Sequence, residues 1–391
     1  MNTSESLFTA KTAAETRALL VAGANPNVRG SNGLTPLHFA NDADQTSALL
    51  AAGADPNACG EYGKTPLHAS HDVAQTCALL DAGADPNARN DDDSTPLHAA
   101  RDGDQTRVLL SAGANSNARD ADGHTPLHLA ADAYKTYVLL AAGADPNARD
   151  SQDCTPLHYA NADDQTRALL DTGADPNAHD QHGSTPLHCA NDAAQTRALL
   201  SAGADINARD NDGYTPLHLA RDAAQTSVLL AAGADVNARN EYGKTPLHYA
   251  RGTDQTSALL AADANPNARD NYDVTPLNAS DSGKMKILLA AGADPLLAYP
   301  PAKTRIAEGC LAALRDPEVV SALKPQTASR LVDAHPYLAD LPGDEKPEAL
   351  LARAAAENRM AERLARPSLA ARIAEHAAQP EIVRDAPGID R

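Results

Sequence analysis

Hydrophobic and polar positions recur along the chain at a fixed interval of 30 residues. The tripeptide Thr-Pro-Leu begins at residues 35, 65, 95, 125, 155, 185, 215, 245 and 275, and His follows it at eight of the nine places. Between these sites lie apolar stretches such as LLAAGADPNA at 49–58. A period of this length is typical of a stacked supersecondary unit, and it excludes a coiled coil or a collagen helix.

The first half of each unit predicts a short helix. In residues 211–240, Thr215 stands where a helix N-cap is favoured, and Pro216 follows at the first helical position, where its missing N–H costs nothing. Leu217 and Ala220 lie three residues apart, so they fall on one face of that helix and should be buried. We expect this helix to have about two turns, as judged from its spacing.

The second half of each unit predicts another helix of about two turns. Asp222 should cap it, and Gln225 should reach back to the cap as in a capping box. Residues 228–230 are the predicted buried stripe of this helix. Gly233 should end it in the left-handed conformation that Gly tolerates best. The turn-rich stretch that follows leads to the next Thr-Pro.

The segments TPLHLA, TPLHYA and GADPNARD resemble the ankyrin repeat. The resemblance implies an all-α solenoid of helix-turn-helix units with finger-like turns. It divides the chain into an N-terminal capping half-repeat at 1–30, nine ankyrin-like repeats at 31–297 and a remaining C-terminal region at 298–391. The period departs from the usual one of about 33 residues, and the missing residues fall between the two helices.

Histidine and cysteine are the residues that could suggest a metal site or a catalytic site. The resemblance implies that the repeated His is structural, because its imidazole hydrogen-bonds within the unit and to the neighbouring unit. These residues are His38, His68, His98, His128, His158, His188, His218 and His248. The five Cys show no C-x-x-C spacing, and no catalytic triad order, phosphate loop or H-E-x-x-H motif occurs in the sequence. We therefore expect no metal, no cofactor and no enzymatic activity.

The region 298–391 interrupts the 30-residue pattern and contains ten Pro. Its composition predicts short helices at roughly 303–314, 317–323, 327–339, 346–365 and 368–377. One interpretation is a helical cap that closes the hydrophobic end of the solenoid, as repeat arrays require. The other is a separate module, so that the protein is a bacterial or phage effector whose repeats target it and whose 298–391 region carries an activity.

Composition narrows the classes of partner. The net charge is -19, with 33 Lys and Arg against 52 Asp and Glu, so we expect no ordinary nucleic-acid binding. Apolar runs reach only seven residues, well short of a membrane span, and the N-terminus lacks the pattern of a secretory signal. Cytoplasmic residence is the expectation, or secretion into a host cell for an effector. The excess of Arg over Lys suits a GC-rich bacterial or phage coding sequence.

Positions that vary within the otherwise constant repeat are the better indication of function. They lie at the finger tip and after Thr-Pro-Leu-His, and the resemblance implies that both sets line a concave groove where partners bind. Tyr and Arg are frequent in binding hot spots. The candidate partner-binding residues are Tyr62, Arg101, Tyr159, Tyr214, Arg221, Tyr242, Tyr249, Arg251 and Tyr272, and Phe39 joins them. An alternative is that these tyrosines serve only the packing of finger against finger.

A recurring arginine is the other repeated charge. Arg89, Arg119, Arg149, Arg209, Arg239 and Arg269 share one position of the repeat and are often followed by Asp. We expect each to lie near the Asp of a neighbouring finger, as part of a structural charge lattice. The sequence thus predicts a protein-interaction scaffold that captures a partner protein in its groove and inhibits or sequesters a basic partner.

Overall fold

A computed structural model describes residues 3–279, 281–294 and 297 of the chain. Within these residues helices are the only regular elements, and no strand occurs. The described residues belong to two compact units, one that ends at Ala262 and one that begins at Asp263. The predicted all-α repeat architecture is confirmed for this part of the chain. The predicted helices and the cap or effector module of 298–391 lie outside the described residues.

Two kinds of helix alternate along the chain. The short first helices are Glu5–Phe8, Pro36–Phe39, Pro66–Ala69, Pro96–Ala99, Pro156–Tyr159, Pro186–Cys189, Pro216–Leu219, Pro246–Tyr249 and Pro276–Ala279. The longer second helices are Ala13–Val21, Ala43–Ala51, Val73–Asp81, Gly103–Ser111, Ala133–Ala141, Asp163–Asp171, Ala193–Ser201, Ala223–Ala231, Thr253–Ala261 and Ser282–Ala290. Glu61–Gly63 is an additional 3-10 turn, and 126–129 forms turns in place of a first helix.

The first helix has one turn, and the prediction of two turns was wrong. In Pro216–Leu219 the Thr215 side chain accepts from the backbone of His218, whose ring in turn accepts from the N–H of Thr215. The next residue, Ala220, already has an extended ψ of 131° and ends the helix. With three residues fewer than a usual repeat, the chain passes directly to the second helix. Leu217 and Ala220 are buried, as predicted.

The second helix begins as predicted but buries a different stripe. Asp222 Oδ1 accepts from the N–H of Gln225 at 2.8 Å, so Asp caps the helix. The residues that face the core are Gln225, Thr226 and Leu229, whereas 228 and 230 are only half-buried. Gly233 ends the helix with a φ of 96°, as predicted. The prediction of an all-apolar stripe at 228–230 was therefore wrong, because a polar pair shares the interior face.

Buried glutamines join consecutive repeats. Gln225 Nε2 donates to the carbonyl oxygen of Ala190 at 3.0 Å and to Thr196 Oγ1 at 3.2 Å, both in the preceding repeat. Its Oε1 accepts from the N–H of Arg221, one residue before the cap. The predicted capping box, in which Gln would reach the N–H of Asp222 itself, is thus corrected. Bonds to a carbonyl 35 residues earlier are also made by Gln45, Gln75, Gln105, Gln165, Gln195 and Gln255.

The repeated His joins each repeat to the next. In His218, Nδ1 accepts from the N–H of Thr215, so Nε2 carries the proton and donates to the carbonyl oxygen of Lys244 at 3.1 Å. Burial lowers the pKa of His218 to about 4 and keeps the ring neutral, as this geometry requires. Bonds to a carbonyl 26 residues later are also made by His38, His68, His98, His128, His158 and His188. The structural role implied for these residues is confirmed.

The fingers need a residue in the left-handed region at their tips. Asp93 and Asp153 stand where most units have Gly, and they adopt φ values of 58° and 60°. Asp tolerates this region better than most residues, which explains why the substitution leaves the finger intact. Tips of neighbouring fingers are joined by backbone bonds, as from the N–H of Asn211 to the carbonyl oxygen of His182 at 2.8 Å.

The repeated arginine bonds to backbone, not to a neighbouring Asp as predicted. Arg149 Nη1 donates to the carbonyl oxygen of His179 at 2.7 Å, and Arg209 Nη2 donates to that of Arg239 at 2.8 Å. Where an ion pair forms, its partner is the Asp four residues later in the same unit, as in Arg89–Asp93 at 3.1 Å. A carbonyl is present in every finger whatever its sequence, so the bond does not depend on the neighbour's side chain. In the described part of the chain, no helix is long and apolar enough to cross a membrane.

Candidate partner-binding surface

Two positions of the repeat bring side chains together between consecutive units. One is the residue just before Thr-Pro-Leu-His, and the other is the residue just after it. Tyr159, after its motif, packs edge-on against His124, which precedes the motif of the unit before, with ring centroids 5.6 Å apart. Tyr249 and Tyr214 repeat this arrangement with centroids 5.4 Å apart. Both pairs are separated by 35 residues, so the stack of repeats itself creates the contact.

The first group, which we call the Asp150 cluster, comprises His124, His128, Asp150 and Tyr159. Tyr159 OH donates to Asp150 Oδ2 at 2.7 Å. Nε2 of His124 lies 3.4 Å from the same carboxylate, and its Nδ1 lies 3.5 Å from Asp120 Oδ2. The Asp150 side chain is fully buried, whereas Tyr159 is 42% exposed. The cluster therefore holds a buried negative charge that is bonded to the hydroxyl of a partly exposed tyrosine.

Hydrogen bonds keep the Asp150 carboxylate ionised. Burial alone would raise the pKa of Asp150, but bonds from Tyr159 OH and from the N–H groups of Gln152 and Cys154 outweigh it and lower the pKa. The Tyr159 pKa is raised by burial and by the bond to Asp150. Burial, followed by the nearby carboxylates, raises the pKa of the Cys154 thiol to about 11. At neutral pH the site thus contains a carboxylate, a phenol and a thiol.

The second group, which we call the Asn240 cluster, comprises Tyr214, His218, Asn240 and Tyr249. The hydroxyls of Tyr214 and Tyr249 lie 3.0 Å apart, and Asn240 Nδ2 donates to Tyr249 OH at 3.1 Å. Tyr242 extends the group, its ring centroid 6.4 Å from that of Tyr214. Three of the candidate tyrosines thus meet here, with the uncharged amide of Asn240 at the position that the carboxylate of Asp150 occupies in the first cluster.

A cation is already present in the Asn240 cluster. Lys244 Nζ lies 5.6 Å from the ring centroid of Tyr249, within the range of a cation–π contact. Tyr249 is half-buried, in contrast to the exposed Tyr159. The residue that corresponds to Lys244 three repeats earlier is Cys154. The two clusters therefore share one geometry and differ in where their charge lies.

The remaining predicted residues lie elsewhere. Tyr62 is at the tip of an early finger, 62% exposed and with a φ of 57°, and Tyr272 is 74% exposed in the second unit. Arg101 is exposed and its Nη2 lies 2.9 Å from His71 Nδ1. Arg221 and Arg251 are exposed, and their backbone N–H groups donate to Gln225 and Gln255. Phe39 packs edge-on against Phe8, which lies in the N-terminal half-repeat.

Sequence reasoning missed a lysine inside the stack. Lys135 occupies the position of the buried glutamines and is only 2% exposed, with Nζ donating to the carbonyl oxygen of Ala100 at 2.7 Å. Burial lowers the pKa of this ammonium to about 8. Superimposing the repeats at 30-residue intervals would have shown the exchange of Gln for Lys. A buried stripe at 228–230 does not include the position of Lys135, so that prediction could not indicate its burial.

Two exposed tyrosines on a second helix were also missed. Tyr134 and Tyr137 are 51% and 50% exposed on Ala133–Ala141, and Tyr134 OH donates to Asp104 Oδ1 at 3.1 Å. They lie on a different helix from the candidate residues. Among the residues that the structure describes, no group of His, Cys, Asp and Glu is arranged to hold a metal ion.

Comparison with protein-family models supports the repeat architecture independently of these contacts. A model of three ankyrin repeat copies matches residues 69–150, 133–210, 157–240 and 191–270, and a single ankyrin repeat model matches residues 32–61. Together the matches cover more than half of the chain. A search of curated protein sequences gave no match.

Proposed function

Because the chain belongs to the ankyrin repeat family, which forms protein–protein interaction scaffolds, we propose that it captures a partner protein on the surface that contains Tyr62, the Asp150 cluster and the Asn240 cluster. This choice is supported by the variation of the residues on that surface, while the hydrogen bonds that the repeated His and Gln make between repeats stay almost constant. Ankyrin repeats are typically non-enzymatic modules, and the proposed mechanism is capture without chemistry.

A basic partner is the finer part of this proposal. Residues 1–295 have a net charge of -18 and residues 296–391 one of -1, so the acidity belongs to the repeats. Much of it comes from Asp residues that cap helices and bond within turns, as Asp222 does. Whatever its structural origin, this field attracts a basic protein and accelerates association. Binding would sequester that partner in the cytoplasm, the compartment that we propose.

Affinity capture with the full chain tests the proposal. The wild type is compared with Tyr62→Ser/Tyr242→Ser, which removes exposed tyrosines from the proposed surface. The matched control is Tyr134→Ser/Tyr137→Ser, which removes two tyrosines that are 51% and 50% exposed from a second helix. We expect mass spectrometry to identify a protein that is lost with the first variant, retained with the second, and released as salt rises. Equal retention by both variants would contradict the proposed surface.

A further inference from the structure

The two clusters can be compared directly, because they occupy equivalent positions in different repeats. Residues 90 apart correspond: Tyr159 to Tyr249, Asp150 to Asn240 and Cys154 to Lys244. In the Asn240 cluster the chain supplies its own cation, at 5.6 Å from the Tyr249 ring centroid. In the Asp150 cluster the corresponding residue is a neutral thiol.

The Asp150 cluster has the stronger electrostatic attraction for a cation. Its buried carboxylate lies 2.7 Å from Tyr159 OH, so negative charge is held close to the ring. Burial, and after it the carboxylates of Asp150, Asp180 and Asp153, raise the pKa of the Cys154 thiol to about 11. The same field would favour a positive charge at that point, where Lys244 places one in the other cluster.

The tyrosine ring of the Asp150 cluster is also more exposed to solvent than that of the Asn240 cluster. Tyr159 is 42% exposed, whereas Tyr249 beneath Lys244 is half-buried. Within the described residues, the cation–π contact is the one at Tyr249, and no ammonium or guanidinium of the chain lies over Tyr159. The Tyr159 ring is therefore a partly exposed aromatic surface that packs against His124 and His128 and whose hydroxyl bonds to a buried negative charge.

We propose that the Asp150 cluster is a binding site for a lysine or arginine side chain of the partner protein, which takes over Tyr159 the place that Lys244 takes over Tyr249. This rests on the proposed function, since it identifies which group of a basic partner is recognised and where. An arginine guanidinium suits the site especially well, because it can stack on the ring while its charge faces Asp150.

The test uses the full chain with ¹³C-labelled tyrosine rings and follows each ring by NMR. The probe is N-acetylarginine amide, and the neutral control probe is N-acetylcitrulline amide. We expect the Tyr159 resonances, assigned with Tyr159→Phe, to shift saturably with the arginine probe alone, while those of Tyr249 do not move. Asp150→Asn should weaken this binding about tenfold, because it removes the charge and keeps the shape.

Two further variants separate charge from size. Cys154→Lys supplies an internal cation and should abolish binding of the probe, whereas the neutral Cys154→Gln should retain it. The reciprocal change Asn240→Asp/Lys244→Cys should create a second arginine site at Tyr249. Equal shifts with both probes, or unchanged binding in Asp150→Asn, would overturn the proposal.

Failure of this site and failure of the proposed function give different results. If the captured partner is held equally well by the wild type and by Cys154→Lys, the cation site is wrong and the scaffold function stands. If the arginine probe binds with the expected pattern of variants but no protein is lost in Tyr62→Ser/Tyr242→Ser, the cation site stands and the proposed capture surface is wrong.

Discussion

Residues 100–160 and residues 190–250 share one repeat architecture but differ in their ionisable groups and in one first helix, since 126–129 forms turns where Pro216–Leu219 is helical. Both stretches have the Thr-Pro-Leu-His motif, the Gly that ends the second helix and the backbone hydrogen bonds between finger tips. The first stretch contains Lys135, Asp150 and His124, where the second contains Gln225, Asn240 and Tyr214. The comparison teaches that the repeat framework depends on a few fixed bonds, and that charge can be placed around them without changing the fold.

Replacing the buried lysine should have the largest effect on stability. The pKa of Lys135 is about 8 in the folded protein and about 10.5 in the unfolded chain, so burying the charged form costs folding free energy below pH 8. That cost is relieved as pH rises from 8 to 10.5. We expect Lys135→Gln to unfold at higher urea concentration at pH 7, with its advantage over wild type shrinking by roughly 3 kcal/mol by pH 10.5.

The reciprocal variant Gln225→Lys is the matched control for this prediction. It should lose stability at pH 7 and recover it over the same pH interval, because it moves the buried ammonium to the second stretch. A difference between Lys135→Gln and wild type that stays constant from pH 7 to 10.5 would show that Lys135 is not desolvated.

Removing one hydroxyl from each cluster should show the second largest effect. Tyr159→Phe deletes a bond to an ionised carboxylate and should cost about 2 kcal/mol, whereas Tyr249→Phe deletes two bonds to neutral groups, those of Tyr214 and Asn240, and should cost about 1–2 kcal/mol. The lowered pKa of Asp150 stabilises the protein above the unfolded-state pKa, and this contribution is lost as pH falls through the folded-state pKa. Tyr159→Phe should therefore begin to lose stability at a higher pH than wild type.

Urea denaturation at several pH values between 2 and 7 measures both quantities, with each stability referred to wild type at the same pH. Equal costs for the two Phe variants at pH 7, with the same onset of acid destabilisation, would mean that the charge of Asp150 does not distinguish the clusters.

The smallest effect on stability is expected for a substitution at the contact between two second helices, Gly103–Ser111 and Ala133–Ala141. The Tyr134 ring covers Gly103, and a Cβ there would come within 2.3 Å of that ring. Gly103→Ala should therefore cost about 0.5 kcal/mol in the wild type, because the ring must move. In a Tyr134→Ala background it should instead stabilise the helix by about 0.5–1 kcal/mol. A double-mutant cycle by thermal unfolding measures this change of sign, and additive effects would contradict the steric explanation.

The sequence predicted the fold well because the repeat uses residues whose local roles are strong. Thr215, Pro216, Asp222 and Gly233 act within a few residues of themselves, so their positions follow from local chemistry. The one-turn first helix was missed because its end depends on how Ala220 connects to the next cap. The role of Gln225 was missed because its main partners lie 29 and 35 residues away in the preceding repeat.

The candidate surface could be predicted as a set of positions but not as groups. Tyr214, Tyr242 and Tyr249 meet because the stack brings residues 35 apart into contact, and Tyr159 meets His124 for the same reason. Their variation within an otherwise constant repeat marked these tyrosines as candidates. The sequence could not show that Asp150 bonds to one tyrosine hydroxyl and Asn240 to another, since both are ordinary turn residues.

The repeated hydrogen bonds between neighbouring repeats affect how the gene can gain or lose whole repeats. Most repeats offer the same donors and acceptors to their neighbours, so a duplication or deletion of a whole 30-residue unit leaves these groups paired. Unequal recombination between repeats would then yield folded proteins of different lengths. With packed helices about 9 Å apart, each added unit between Asp150 and Asn240 would lengthen the spacing of the two clusters by that step. Recombination could thus adjust the reach of the scaffold in discrete increments while point substitutions adjust its charge.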